Sequence, residues 1–313
     1  MSTTTIAKIS LFVICMFAVA ACKHVWSDEK ERPLFDAAVS PYSPPRVVGR
    51  IASDEIRESS GLAASRCQPG VFWTHNDSGD GPFIFAFGQA GEALGTWRVT
   101  GADNKDWEDI DAIKDASGTC YLYIGEIGNN EGKREHTIVY RIKEPAAGQN
   151  SATSTRKDPL ATEPAESVTV QYPVARPNAE TLLVHPATGD IYILTKRTDA
   201  PSSIFKIVPS FGTEQTAVKV GEIKVPSVPN GQLTGGDIAP DGRRVVLCDY
   251  VAGYELTLPE GDANFDDVWA QQPVKFDVGE RKGGEAIAYS PDGRAIFTTS
   301  EGKNSPIFEM DRK

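Results

Sequence analysis

Residues 179–196 read AETLLVHPATGDIYILTK, and residues 284–300 read GEAIAYSPDGRAIFTTS. Each begins on a small or acidic residue, continues as a short apolar run, turns at a Pro/Gly element and resumes as a second apolar run ending in polar residues. Short apolar runs bounded by turn residues read as strands. Pro-Asp-Gly is a tight-turn signal, because Pro presets φ and Gly accepts a positive φ. The pattern recurs three more times: Glu58 through Pro69-Gly70 to Asp77, Trp107 through Gly118 to Glu126, and Gly235 through Pro240-Asp241-Gly242 to Asp249. Aligned on Ser60, Glu108, Glu180, Gly236 and Glu285, the units are spaced by 48, 72, 56 and 49 residues.

Further strand candidates follow each pair, among them residues 83–87, 137–142, 204–208, 96–99, 167–172 and 218–225. Four strands per unit of about 45–50 residues is the mark of a β-propeller blade. The expected fold is therefore all-β, a propeller of five four-stranded blades over residues 46–313, with six blades as the alternative. The last unit shows only three strands, so the apolar segment 46–52 is expected to supply its outer edge and close the ring. The long interval contains residues 145–166 (PAAGQNSATSTRKDPLATEPAE), a low-complexity stretch that reads as a surface insertion.

The 313 residues carry 43 acidic and 32 basic side chains, a formal net charge of −11, with 40% hydrophobic and 24% charged residues. That mixture suits a globular protein, and it offers no basic footprint for nucleic acid. Four histidines without HExxH give no histidine-rich metal motif. Neither a GxxxxGK[ST] phosphate loop nor a GxSxG nucleophile elbow occurs.

Residues 1–22 read MSTTTIAKISLFVICMFAVAAC. Lys8 supplies a positive start, residues 9–19 an apolar run too short to span as a stable helix, and Ala20-Ala21 a small-residue close. This is the layout of a secretory signal peptide, 1–21. The ending resembles a bacterial lipobox, which implies a lipid on Cys22; Lys23 rather than Asp after it implies the outer membrane, facing the periplasm or the cell surface. The polar, Pro-rich remainder of 22–45 reads as a flexible tether. Cys67 and Cys120 both precede second strands of neighbouring units. An oxidising compartment permits a bridge between them, and three separate thiols, with Cys248, is the other reading.

The runs WTHNDSGD (73–80), DWEDID (106–111), GEIGNN (125–130), AETLLVHPATGDIYILTK (179–196), GGDIAPDG (235–242) and GGEAIAYSPDG (283–293) resemble a family of exported bacterial β-propeller lipoproteins of undefined activity. More remotely the chain is similar to phytase-like, gluconolactonase-like and Tol-translocation propellers. Those relatives include calcium-dependent hydrolases and non-catalytic binding proteins, so the resemblance implies the fold and leaves the activity open.

In a propeller, loops entering the inner strands and loops leaving the second strands meet on one face around the channel. Glu108, Glu180 and Glu285 hold equivalent positions in three units and are the expected metal ligands. Asn76, Asp77, Asp109, Asn129, Asn130, Asp237, Asp249 and Glu301 are expected to line the pocket. Carboxylates so crowded must protonate, pair with a cation or hold an ion, and oxygen donors suit Ca²⁺. The other reading makes these acids caps and interblade ion pairs. The expected function is a binding module taking a cation or small polar ligand, or an envelope protein or glycan, as a monomer held to the membrane by its lipid. The alternative is a Ca²⁺-dependent hydrolase of an ester, lactone or phosphoester, with His75 or Glu126 as base and Lys196 or Arg197 stabilising anionic charge.

Overall fold

The computed structural model describes residues 39–313 apart from 175, 199 and 226–231. The signal peptide, Cys22 and most of the segment read as a tether lie outside the described residues. The first strand is β1 (Arg46–Arg50). Then come β2 (Ala63–Ala64), β3 (Val71–Thr74), β4 (Phe83–Gly88) and β5 (Ala93–Arg98), followed by β6 (Trp107–Lys114), β7 (Cys120–Glu126), β8 (Thr137–Lys143), β9 (Leu160–Ala161) and β10 (Glu166–Gln171). The third group is β11 (Ala179–Val184), β12 (Ile191–Thr195), β13 (Ser202–Ile207), β14 (Glu214–Thr216) and β15 (Val218–Ile223). The fourth is β16 (Gly235–Ile238), β17 (Arg244–Cys248), β18 (Ala252–Thr257) and β19 (Val274–Asp277), and β20 (Ile287–Tyr289), β21 (Ala295–Thr298) and β22 (Pro306–Asp311) complete the chain.

The strands form five antiparallel blades: β2–β5; β6, β7, β8, β10; β11, β12, β13, β15; β16–β19; and β20–β22 with β1 outermost. This is the five-bladed all-β propeller expected from the repeat. Closure is as expected too, since Arg46 to Arg50 pairs antiparallel with Glu309 to Pro306.

Successive side chains of a strand point to opposite faces, and both faces of a blade are covered by neighbours. That is why the strands read as continuous apolar runs. In β3, Phe72 enters the core shared with blade 5 while Trp73 enters the core shared with blade 2. In β17, Val245 and Leu247 face blade 3, and Val246 and Cys248 face blade 5. The buried residues accordingly form five clusters, one at each blade interface. Cys67 and Cys120 form a disulfide that ties blade 1 to blade 2, with Cα atoms 6.1 Å apart, and Cys248 is free and buried.

Two regions differ from the expectation. The insertion 145–166 is no free surface loop. Its β9 adds a parallel strand to β5. Ser154 Oγ accepts from Thr96 N (2.8 Å), Ser151 Oγ donates to Leu94 O (2.5 Å) and Thr162 Oγ1 accepts from Thr100 N (3.0 Å). The polar composition that suggested a loop supplies hydroxyls that saturate the outer edge of blade 1. The segment read as a tether also ends earlier than residue 45. Tyr42 is 1% exposed, packs on Phe276 and donates its hydroxyl to Glu255 (2.5 Å).

Glu255 gathers the two ends of the chain. It accepts from Tyr42, from Tyr289 (2.9 Å) and from Arg312 (2.5 and 2.7 Å). A hydrogen bond to a buried charged group is worth about 1.5–3 kcal/mol, so Tyr42→Phe should lower stability by about that much. Urea denaturation checks this: the midpoint falls and the slope stays constant, and an unchanged midpoint would show that the N-terminal segment does not help close the ring.

Candidate functional site

The channel is lined by the free edges of the inner strands, whose backbone groups need partners. Side chains of adjacent blades provide them. Asp109 of β6 accepts from Ile110 N (2.9 Å) and, across the interface, from Leu182 N of β11 (3.0 Å). Asp111 accepts from Ala112 N and Val184 N (both 2.6 Å), and Asp237 of β16 accepts from Tyr289 N of β20 (2.8 Å). Arg66 reaches in from blade 1 to pair with Asp237 (3.0 Å) and to donate to the carbonyls of Ala112, Tyr289 and Ser290. Asp109 and Asp237, expected in the pocket, thus sit in the wall of the channel, bonding one blade to the next. Burial pushes both carboxyls up.

The acidic pocket lies where β6 and β11 begin, and two β-bulges build it. Trp107 pairs with Glu126 but Asp109 with Gly125, leaving Glu108 as the extra residue. Ala179 pairs with Thr195 but Thr181 with Leu194, leaving Glu180 extra at the equivalent point. A bulge re-aims one side chain without breaking the strand, and these two send a carboxylate each toward the same place. Their carboxyls are close enough to share a proton. Glu180 is also bound by Lys196 Nζ (3.0 Å) and Asn178 Nδ2 (3.1 Å), and Lys196 donates to the Tyr250 hydroxyl (2.7 Å).

Asp77 and Asp106 complete the cluster. With Glu108 they bring one carboxylate oxygen each within 4.8 Å of one another. Glu108 is 2% exposed, yet its Oε1 has no hydrogen-bond partner. Gly128 allows the approach, since a Cβ there would lie 2.1 Å from that oxygen and 2.4 Å from the Asp106 carboxylate. Glu285, held by the Ser60 hydroxyl (3.2 Å), and Glu301 stand close enough for the charges of Glu180 and Asp77 to act on both.

Burial, and then the charge of Glu180, raise Glu108 well above the usual carboxylate range. Burial and Asp77 lift Asp106 to about 6, and burial and Glu180 lift Glu285 to about 8. Lys196 moves up despite its burial, because Glu180 and Tyr250 hold its proton. An unpartnered buried oxygen among crowded carboxylates fits a hard cation with oxygen ligands, Ca²⁺ before Mg²⁺. Glu180 and Glu285, expected as ligands, stand beside that triad, with Glu180 committed to Lys196.

The remaining expected residues serve the frame. Glu126 accepts from the amides of Lys105 (2.8 Å) and Asp106 (3.1 Å) and pairs with Arg134 (2.6 Å). His75 is sealed in the blade 1–2 interface against Trp107, its Nδ1 3.0 Å from the Asn76 carbonyl oxygen, and burial lowers its pKa. Asn76 accepts from Arg57 N and Glu58 N and donates to Glu55 O and Asp80, while Asn129 spans the 129–134 turn. Asp249 folds its own turn through the amides of Val251 and Ala252, Asn130 accepts from Asn178, and Arg197 is exposed. Asp106, Asn178 and Arg66 were not singled out in the sequence. Asp106 lies two residues before Glu108, just ahead of β6.

No protein-family model and no curated protein matches the sequence. Among solved structures, a gluconolactonase of Xanthomonas campestris is similar at 11% identity, with a TM-score of 0.46 over 88% of this chain and 98% of that one. Likeness at that level carries nothing about activity, and the fold assignment rests on the strand pairing.

The raised carboxyls set a pH dependence. Unfolded, these groups lose their protons near the ordinary carboxylate range of about 4–4.5. Folded, Asp106 keeps its proton to about 6 and Glu285 to about 8. The folded state therefore binds more protons in between, and stability from these groups is lost as pH rises from about 4.5 to 8. In EDTA, Glu285→Gln should melt higher than wild type at pH 8, with the gap closing toward pH 4.5. A gap independent of pH would contradict the assignment.

Proposed function

We propose that this protein is a cell-envelope binding module whose acidic pocket takes a divalent cation, Ca²⁺ first, or a small polar ligand. The observation that carries the reading is the buried Glu108, its Oε1 without a partner and its carboxylate clustered with those of Asp77 and Asp106. In this reading those three side chains hold the ion, and the ion supplies the positive charge that lets their carboxyls ionise together. The envelope location rests on residues 1–22, with a lipid on Cys22 as the membrane attachment.

A second reading, hydrolysis of an ester, lactone or phosphoester, draws on Glu285, whose carboxyl at about 8 can accept or donate a proton near neutrality, and on Lys196 beside Glu180. The commitment of Glu126 to the frame weighs toward binding.

Binding to the native state alone adds RT ln(1 + [L]/Kd), about 2.7 kcal/mol at a ligand concentration a hundredfold above Kd. Millimolar Ca²⁺ should therefore raise the melting temperature of residues 23–313 above its value in EDTA, and Glu108→Gln should abolish the rise. A melting temperature indifferent to both Ca²⁺ and EDTA sinks the cation reading. Turnover of ester and lactone substrates that is lost in Glu285→Gln, with the Ca²⁺ shift retained, would favour the hydrolase.

A further inference from the structure

Asp77 comes to the triad from a different part of the chain than its two partners. Asp106 immediately precedes β6 and Glu108 is its second residue, whereas Asp77 stands in the loop 77–81, where Gly79 and Gly81 take positive φ (78° and 93°). Its carboxylate meets those of Asp106 and Glu108, with one oxygen of each within 4.8 Å of the others. Asp77 N donates to Glu58 O (3.2 Å), and Asn104 Nδ2 donates to the carbonyls of Asp77 and Gly81 (both 3.3 Å); these bonds fix the two ends of the loop and leave its tip at Asp80.

The insertion holds it. Arg156 pairs with Asp80 at the end of that loop (2.9 Å) and donates to the Asp80 carbonyl (2.5 Å), its guanidinium over the Phe83 ring at 5.3 Å. Asp80 in turn accepts from Asn76 Nδ2 (2.8 Å), the residue before Asp77. Arg156 is itself fixed: its amide donates to the Glu55 carboxylate (3.0 and 3.1 Å), which also accepts from Thr96 of β5 (3.2 Å). The bonds of Ser151, Ser154 and Thr162 anchor the insertion on either side.

We infer that Arg156 is the positioning residue of the cation site, the insertion acting as a strap that holds Asp77 against Asp106 and Glu108. The inference rests on the cation reading proposed above, and it gives the insertion a role in that site. Arg156 touches none of the triad, so its effect passes through Asp80 and the loop.

Tb³⁺, a luminescent substitute for Ca²⁺, is the probe, since Trp107 adjoins Glu108 and can sensitise it. Lifetimes in H₂O and D₂O count the waters on the bound ion. In Arg156→Met, which keeps the aliphatic stem, Tb³⁺ should bind about tenfold more weakly, a coupling of ordinary size for contacting groups. It should also carry about one or two more waters, because Asp77 no longer fills its coordination positions. Asp77→Asn should give the same water count, and the double variant no further loss. Arg156→Lys, which can still pair with Asp80, should recover part of the affinity. A wild-type protein that binds no Tb³⁺ overturns the cation reading and this inference with it. Tb³⁺ binding that Glu108→Gln abolishes but Arg156→Met leaves unchanged in affinity and water count overturns the strap alone, as does additivity of Arg156→Met and Asp77→Asn.

Discussion

An inner strand of a propeller has one edge with no strand beside it, and in this molecule that edge is satisfied by carboxylates from the adjacent blade. Asp109 and Asp111 of β6 take the amides of Leu182 and Val184 in β11, and Asp237 of β16 takes the amide of Tyr289 in β20. Each bridge meets a backbone demand that would otherwise cost the desolvation of a buried N–H. It also fixes the height of one blade against the next, so the register of the ring is set by side chains at its axis. Arg66, donating to three carbonyls and pairing with Asp237, does the same for blades 1, 2, 4 and 5. With the ring held in this way, the bulges at Glu108 and Glu180 point at a common place.

Crowding then has a chemical consequence. A set of acids aimed at one axis must discharge its repulsion, and the structure shows three means of doing so. Glu180 takes an internal cation, Lys196, while Glu126 takes Arg134 and two amides. Glu285 and Asp106 hold their protons to higher pH than ordinary carboxyls. Glu108 alone among these keeps a buried oxygen without a partner, and that residual demand distinguishes a site from a framework.

The repeat made the architecture legible. Apolar runs separated by Pro-Asp-Gly turns, recurring at blade spacing, led to five blades and to a closing strand at Arg46–Arg50. The candidate site was legible only in outline. Periodicity indicates which acids approach the axis, and in the structure Asp77, Glu108, Glu180, Glu285, Glu301 and Lys196 lie within electrostatic reach of one another. It cannot say which of them already have partners: Asp109 and Asp237 look like Glu108 in the sequence, yet their oxygens are taken by amides one blade away. Bulges leave no composition signal, and hydroxyls in a polar insertion look the same whether they face water or a strand edge.

The clasp around Glu255 changes how the molecule comes apart. An open array of repeats has two terminal units, each with one neighbour, and it frays from those ends. Here β1 lies beside β22, and Tyr42, Tyr289 and Arg312 meet on one carboxylate, so every blade has two neighbours and shares two of the five cores. No unit is left with a single neighbour. The ring behaves as a nearest-neighbour chain with a periodic boundary, in which opening any one blade breaches two interfaces at once, and partial unfolding has no terminal blade from which to begin.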